Sequence, residues 1–145
     1  MSARTIYLIK RAEAAIRALL EAELRDLDLT PSQYTTLNML APHTEISSAE
    51  LAKRVLVTPQ SMSEMITALQ RKELIKRRES ESNRRILRIS LSPAGRALLE
   101  KAEARVDGLE AKFFAALTDD AHAALRAVLA TVLADDRAQR TGATR

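Results

Sequence analysis

The residues in this sequence that are best suited to chemistry are positively charged side chains between positions 71 and 88. This segment carries eight basic and three acidic residues, a net charge of +5, whereas the whole 145-residue chain carries +4. The rest of the chain is therefore slightly acidic, and the positive charge belongs to one place. A local group of Lys and Arg side chains is what contacts with nucleic acid phosphates require. The segment predicts a surface that binds a polyanion.

Residue types that make and break bonds are scarce by comparison. The chain has no cysteine, which excludes disulfides, thiolate nucleophiles and cysteine-based zinc sites. Its only imidazoles, His43 and His122, are far apart, and no Gly-rich phosphate loop, nucleophile elbow or paired metal-ligand spacing accompanies them. We therefore expect no enzyme, no metal and no cofactor. Charges recur every few residues from the N-terminus onward, so we expect a cytoplasmic protein without a signal peptide or a membrane span.

The elements that must position the basic segment follow from aliphatic periodicity and Ser/Thr-Pro signals. Apolar residues at helical spacing predict a long amphipathic helix from about Thr5 to Asp26. Capping signals at Thr30-Pro31, Ser47-Ser48 and Thr58-Pro59 predict three further helices, the last of which reaches about Lys72. In that helix the apolar face is predicted to be buried; its members are Met62, Met65, Ile66 and Leu69.

After this helix the period changes from helical to alternating. Residues 75–78 and 87–91 predict two strands joined by a polar turn, which gives a basic β-hairpin. Ser92-Pro93 and Thr118 then introduce two more helices. The fold class is mainly α with a small hairpin. A short helix, a tight turn, a second helix and a basic hairpin together form a winged helix-turn-helix.

In such a unit the second helix enters the major groove, and the hairpin, or wing, lies along the backbone or minor groove. The polar edge of the predicted recognition helix holds Thr58, Gln60, Ser61, Ser63, Glu64, Thr67 and Arg71. Amide, hydroxyl and carboxylate groups of this kind pair with base edges. The alternative interpretation is the solvated side of an amphipathic helix, and the neighbouring charge excess favours DNA contact.

The wing supplies the other candidate contacts, which are Arg77, Arg78, Asn83, Arg84, Arg85 and Arg88. Arg84 and Arg85 follow the turn, where a long guanidinium could enter a narrow minor groove. Arg77, Arg78 and Arg88 are predicted to hold phosphates. Taken alone, such a charged run is more often a solvated loop, but its position after the helix pair favours a binding role.

The stretch LAKRVLVTPQSMSEMITALQRKELIKRRESESNRRILRISLSPAGRALL resembles the MarR (multiple antibiotic resistance regulator) family. The order of helices on both sides also matches, so the resemblance covers essentially the whole chain. It implies a homodimer that binds a pseudo-palindromic operator in double-stranded DNA, usually as a repressor that a small effector releases. The resemblance further suggests an effector crevice, here lined by Tyr7, Tyr34 or His43, for an aromatic or phenolic acid. For Tyr34 a core position with its hydroxyl at the edge is the stronger alternative.

Three residues depart from the family pattern. Glu64 stands where the family often has a basic reader, so the preferred base or the affinity is expected to differ. Asn83 replaces the acidic residue that commonly precedes the wing arginines, and an amide holds them more weakly than a carboxylate. Leu56 occupies a turn position where Gly is frequent. Because positive φ would strain a leucine, we expect this turn to take another geometry.

The chain ends are predicted to form a dimer. Residues 1–29 and 93–137 carry broad apolar stripes that the winged core cannot cover, and exposing them would leave a patch larger than monomers tolerate. These stripes include Ile6, Leu8, Leu109, Phe113, Leu129 and Leu133. Residues 30–92 would form the DNA-binding region and residues 138–145 a flexible tail. The competing function is a winged-helix module for protein–protein contact, which Glu64 favours and the +5 segment disfavours.

Overall fold

The computed structural model describes the backbone of residues 2–142 and the side chains of residues 2–136. Within that range the chain is mainly helical, with a small antiparallel sheet. The elements are α1 (Thr5–Leu24), α2 (Pro31–Leu40), β1 (Ile46–Ser47), α3 (Ser48–Val55), α4 (Pro59–Arg71), β2 (Ile75–Glu79), β3 (Leu87–Leu91), α5 (Pro93–Phe113) and α6 (Asp119–Gly142). The chain divides after Leu109 into two compact units.

The predicted caps begin the helices of the first unit. Thr30 and Gln33 form a complete capping box, in which each side chain accepts a hydrogen bond from the other residue's backbone N–H. Ser47 and Thr58 cap α3 and α4 by accepting from the backbone N–H three residues later. At α3 the box is only half formed, because the Glu50 carboxylate binds Arg54 instead. These signals are local, which is why the sequence locates the helix starts.

The end of α1 differs from the prediction of a helix to Asp26. The α-helix stops at Leu24, and one 3₁₀ turn, Arg25–Leu27, follows it. Asp28 then adopts a left-handed conformation with φ 53°. Asp is among the few residues that tolerate this conformation. The turn directs the chain into α2.

The wing belongs to a three-stranded sheet with the order β1-β3-β2, whereas the sequence predicted a two-stranded hairpin. The added strand, β1, pairs antiparallel with β3 through Ile46 opposite Ile89 and Ser47 opposite Arg88. Both isoleucines are buried, so the third strand attaches the base of the wing to the core. Two residues are too short for an alternating pattern to show in a sequence.

The core of the first unit is aliphatic, in agreement with the aliphatic periodicity of the sequence. Its largest fully buried apolar side chains come from α1, α2, α3, α4 and β3: Leu24, Leu37, Leu40, Leu51, Met62, Ile66, Leu69 and Ile89. Three of the four residues predicted on the inner face of α4 are among them. The fourth, Met65, is only half-buried and packs against the edge of this core. The opposite edge of α4 is thereby held toward solvent.

The turn between α3 and α4 contradicts the expectation for Leu56. Its backbone lies in the left-handed region, at φ 61° and ψ 42°, and its N–H donates to the carbonyls of Ala52 and Lys53 at the end of α3. The short connection to α4 requires this conformation, and the helix end stabilises it through those carbonyls. The side chain adds no packing energy that would offset this strain, since 82% of it is exposed.

Gly95 lies where α5 crosses the chain that leads into the wing. A Cβ at this position would stand 1.9 Å from the carbonyl oxygen of Leu74, so only glycine fits. Ser92 completes the joint: its N–H donates to Leu74 O at 3.1 Å, its hydroxyl to Glu73 O at 2.6 Å, and the Gly95 N–H donates to that hydroxyl at 2.9 Å. The Ser-Pro-x-Gly sequence thus joins the end of α4 to the start of α5.

The second unit begins in the last turn of α5 and contains α6. Thr118 caps α6 as predicted, by accepting from the Ala121 N–H. The Phe114 ring stacks on His122 at 4.7 Å between centroids, and Glu110 lies 3.4 Å from His122 Nε2. His122, to which the sequence assigned no role, therefore packs at the α5–α6 corner.

The C-terminal end of α6 extends beyond the predicted limit. The sequence predicted a helical dimerisation region to residue 137 and a flexible tail after it, whereas the backbone of α6 is helical to Gly142. Ala, Arg and Gln, which dominate residues 137–140, all have high helix propensity. The flexibility predicted for residues 138–145 stays a prediction, and residues 143–145 lie outside the described part. No helix between residues 2 and 142 is long and apolar enough to cross a bilayer.

Candidate nucleic-acid interface

The outer edge of α4 carries the predicted recognition residues. All seven of them, from Thr58 to Arg71, are exposed. They follow one another along the side of the helix opposite the buried Met62 and Leu69. The edge therefore combines amide, hydroxyl, carboxylate and guanidinium groups on one accessible surface.

Hydrogen bonds within α4 orient several of these groups. The Gln60 amide nitrogen donates to the Glu64 carboxylate at 3.3 Å. Thr67 donates its hydroxyl hydrogen to the backbone carbonyl of Ser63 at 3.0 Å, and the Thr58 hydroxyl contacts that of Ser61. Glu64 is thus held beside an amide rather than a cation, and its carboxylate retains acceptor capacity for a base amino group.

The turn of the wing is closed by its own backbone and by Asn83. The Ser80 N–H donates to Ile86 O at 2.8 Å, and the Ile86 N–H donates to Asn83 O at 2.9 Å. The Asn83 side-chain oxygen accepts from the Arg85 backbone N–H at 3.0 Å. Asn83 therefore shapes the turn through the backbone and does not hold a guanidinium.

The two arginines that follow Asn83 project from this turn. Arg84 and Arg85 are both exposed. None of the ion pairs found among residues 2–136 involves either of them. Two guanidinium groups at the end of a closed turn are available to an external anion.

A cleft of about 120 Å³ lies between the recognition helix and the wing. Its walls come from the start of α3, from α4 and from the strands of the wing; they include Ser48, Pro59, Met62, Ser63, Arg77 and Leu87. Ser63 and Arg77, two of the predicted contact residues, thus border one opening. The structure brings the edge of α4 and the base of the wing together on one side of the unit.

Arg78 has an intramolecular partner that the sequence did not reveal. Its Nε and Nη2 donate to the two carboxylate oxygens of Glu45, each at 2.5 Å. The hydrogen bonds from Arg78 hold the pKa of the Glu45 carboxyl below its usual range. Desolvation opposes this effect, and the charges of Arg78 and Arg88 add to it. The two residues are 33 positions apart, so no local pattern could indicate this pair.

Lys72 is also engaged within the chain. Its ammonium group lies 3.2 Å from the Asp28 carboxylate, donates to Gln33 Oε1 at 3.2 Å, and donates to the Asp28 carbonyl. These contacts connect the end of α4 with the turn that precedes α2. Two of the eight cations of the basic segment, Lys72 and Arg78, therefore serve the internal structure.

The residues suggested for an effector crevice lie on different parts of the first unit. Tyr7 is in the first turn of α1 and is 59% exposed. Tyr34, in the middle of α2, packs half-buried against the core, and His43 lies half-buried in the connection after α2. A second cleft of about 320 Å³ is lined by other residues, among them Arg25, Thr30 and Lys72. The effector assignment of the three residues stays a prediction.

Comparison with known proteins agrees with this architecture. The family model described as MarR matches residues 29–87. An HTH-type transcriptional repressor of Mycobacterium tuberculosis is 38% identical over 112 residues, which cover 77% of this chain and 81% of that protein. The match extends well beyond the winged region, since it covers more than three quarters of the chain.

Solved structures give the same result. The transcriptional repressor CouR, bound to a 23-mer DNA duplex, superposes with a TM-score of 0.85 at 27% identity, over 90% of this chain and 92% of that one. A mutant of MarR from E. coli in complex with operator DNA superposes with a TM-score of 0.81 at 26% identity, over 88% and 91% of the two chains. The fold, the family match and the level of identity together establish that the chain belongs to the MarR family of winged helix-turn-helix transcriptional regulators.

Proposed function

We propose that the protein is a repressor that binds a pseudo-palindromic operator in double-stranded DNA as a homodimer. In this proposal α4 enters the major groove and the wing follows the backbone into the adjacent minor groove. The single observation that carries it is the cleft whose opposite walls are α4 and the wing. It brings Ser63 of the α4 edge and Arg77 of the wing to the same opening, which supports a common binding surface.

The chemistry of each surface supports a division of roles. On α4 the polar side chains suit base edges, with Gln60 for adenine and Glu64 for the amino group of cytosine. On the wing, Arg84 and Arg85 suit the minor groove, while Arg77 and Arg88 suit phosphates. Arg71 adds a cation at the end of the recognition helix. The readers are largely neutral, so sequence preference and electrostatic attraction come from different elements.

The relatives support the DNA partner. CouR and the E. coli MarR mutant were both solved with DNA, and the M. tuberculosis relative is named a repressor. We extend that role to this chain, together with a cytoplasmic location and the absence of catalytic activity. Relief of binding by a small phenolic or aromatic acid is part of the proposal, with Tyr7, Tyr34 and His43 as its candidate contacts.

Substitution of the wing arginines tests the proposal. The target is a duplex that the protein selects from a random-sequence pool, and affinity is measured at several salt concentrations. We expect Arg84→Ala and Arg85→Ala each to weaken binding roughly tenfold. For each lost contact with the polyanion, the slope of log affinity against log salt should become shallower by about 0.9. Because both side chains are exposed, the thermal midpoint should change by a few degrees at most.

Arg11→Ala is the matched control, since it removes the same charge from an exposed position on α1. Its effect on affinity should be small. Wild-type affinity in both wing variants would contradict the wing assignment, and a salt slope near zero in the wild type would favour the protein-interaction alternative.

Adding a panel of phenolic acids to the same assay tests the effector, which should lower operator affinity.

A further inference from the structure

We infer that Glu45 and Arg78 form a brace at the base of the wing, and that Arg78 is a positioning residue for DNA binding rather than a phosphate contact. This inference rests on the proposed contact between the wing and DNA. It concerns a residue pair that joins the loop before β1 to strand β2 across the whole sheet.

The geometry leaves the Arg78 guanidinium little capacity for another anion. Nε and Nη2 donate to the two oxygens of Glu45, and Nη1 donates to the Glu79 backbone carbonyl at 3.3 Å. The Nε–Nη2 edge, through which a guanidinium can bind a phosphate at two points, is thus occupied by the Glu45 carboxylate. All three nitrogens of Arg78 therefore have partners inside the chain.

The register of the sheet explains why the pair forms here. Arg78 lies directly opposite Arg88 on the β2–β3 ladder, and like charges placed opposite each other destabilise a sheet. Ser47 of β1 lies on the other side of Arg88. Glu45, which directly precedes β1, binds Arg78 through both carboxylate oxygens, and the charge of Arg88 also acts on its carboxylate. Glu45 thus faces both arginines and compensates their repulsion.

The brace has a consequence for the arginine turn. Two strands joined by a turn are marginally stable alone, so the direction of the wing depends on how its base is attached. At the turn itself Asn83 binds only backbone, and Arg84 and Arg85 are exposed. The Glu45–Arg78 brace provides the charged link that the turn does not supply, and it sets where those two arginines point.

Neutralisation of Glu45 separates this role from simple electrostatics. Loss of a negative charge near DNA would by itself strengthen binding, whereas loss of the brace should weaken it. We expect Glu45→Gln to weaken binding to the selected duplex by roughly twofold to thirtyfold, the range seen for residues that act through others. The salt slope should stay close to that of the wild type, because Arg84 and Arg85 remain present and charged and are only misdirected.

Glu81→Gln is the matched control, because it removes the same charge from the exposed turn of the wing. Its affinity should equal or exceed that of the wild type. Circular dichroism at the assay temperature would verify that each variant is fully folded, so that weaker binding reports on the wing and not on unfolding. Glu45→Gln with wild-type or higher affinity would overturn the brace.

Substitution of Arg78 gives the second arm of the test. If Arg78 acts only through Glu45, Arg78→Gln should keep the wild-type salt slope and cause no further loss in the Glu45→Gln background. A slope shallower by about 0.9 would instead identify a phosphate contact and overturn the inference. Arg84→Ala, measured alongside, separates the two proposals: if it weakens binding while Glu45→Gln does not, only the brace is wrong.

Discussion

Leu56 shows how the backbone conformation of a residue, and not its side-chain contacts, can determine its effect on the stability of the fold. It holds the left-handed conformation that the turn between α3 and α4 requires, and its side chain is almost fully exposed. A left-handed conformation costs a non-glycine residue about 1–2 kcal/mol. The leucine therefore carries a penalty that no packing offsets.

We expect Leu56→Gly to raise the free energy of unfolding by about 0.5 kcal/mol. Relief of the left-handed strain is partly cancelled by the roughly 0.5–1 kcal/mol that glycine loses in conformational entropy. Leu56→Val is the matched comparison, because it also shortens the exposed side chain but is β-branched. It should destabilise the protein. Urea denaturation gives the free energy of unfolding of each variant. Equal destabilisation by the two variants would contradict the proposal that the strain lies in the backbone of Leu56.

The sequence could locate some residues of the site and not others. Thr30, Ser47 and Thr58 were recognisable as caps because a cap acts on a backbone group three residues away. The polar edge of α4 was recognisable because its buried face repeats at helical spacing. Glu45 and Lys72 act on partners 33 and 44 residues away, and only the folded chain brings those groups together.

At the scale of elements, an ion pair joins the 3₁₀ turn after α1 to α5. Arg105 donates from Nη1 to the Asp26 carboxylate and, at 3.0 Å, to the Glu23 carbonyl. The hydrogen bond from Arg105, which outweighs a smaller opposing effect of desolvation, lowers the pKa of the Asp26 carboxyl. Since the folded state favours the ionised form, the pair stabilises the fold at neutral pH, and this contribution is lost as acid protonates the carboxylate.

Asp26→Asn should therefore lower the thermal midpoint at pH 7, and the difference from wild type should shrink as the pH falls below about 4. Asp107→Asn, at an exposed position on α5, serves as the control and should change the midpoint little at either pH. Thermal unfolding followed by circular dichroism at both pH values makes the comparison. If the difference in thermal midpoint persisted unchanged at low pH, the Arg105–Asp26 ion pair would not be its cause.

Elements were predictable in proportion to their length and periodicity. The long helices show an apolar repeat of 3.6 residues and β3 a repeat of two, whereas the shorter helices were located by their caps and β2 by the polar turn that follows it. Strand β1 has only two residues and exists because Ile89 offers Ile46 a partner. The sheet is therefore wider than the hairpin that the local pattern indicated.

At the scale of the whole molecule, apolar side chains are exposed on both units. In the first turn of α1, Ile6 and Tyr7 are 64% and 59% exposed, and on α6 Val132 and Leu133 are 57% and 61% exposed. Patches of this kind on a regulator of this family fit the proposed homodimer, in which a second copy covers them. The proposed dimerisation regions, residues 1–29 and 93–137, contain all four.

We expect Leu133→Glu to shift the protein from dimer to monomer at micromolar concentration, because the interface would have to bury an unpaired charge. Ala127→Glu is the control, since helical spacing places it away from the apolar stripe of α6 that contains Leu133. Sedimentation velocity gives the readout. An unchanged dimer in Leu133→Glu would exclude this face of α6 from the interface.

The contact at Gly95 has a mechanical consequence for signalling. Since the backbone of α5 touches the Leu74 carbonyl without room for one methyl group, the helix cannot tilt there without moving the segment that links α4 to β2. An event that pushes the start of α5 toward Leu74 would therefore displace the segment that links α4 to β2. A tight contact of this kind would transmit sub-ångström displacements of α5 to that segment, whereas a looser contact would absorb them.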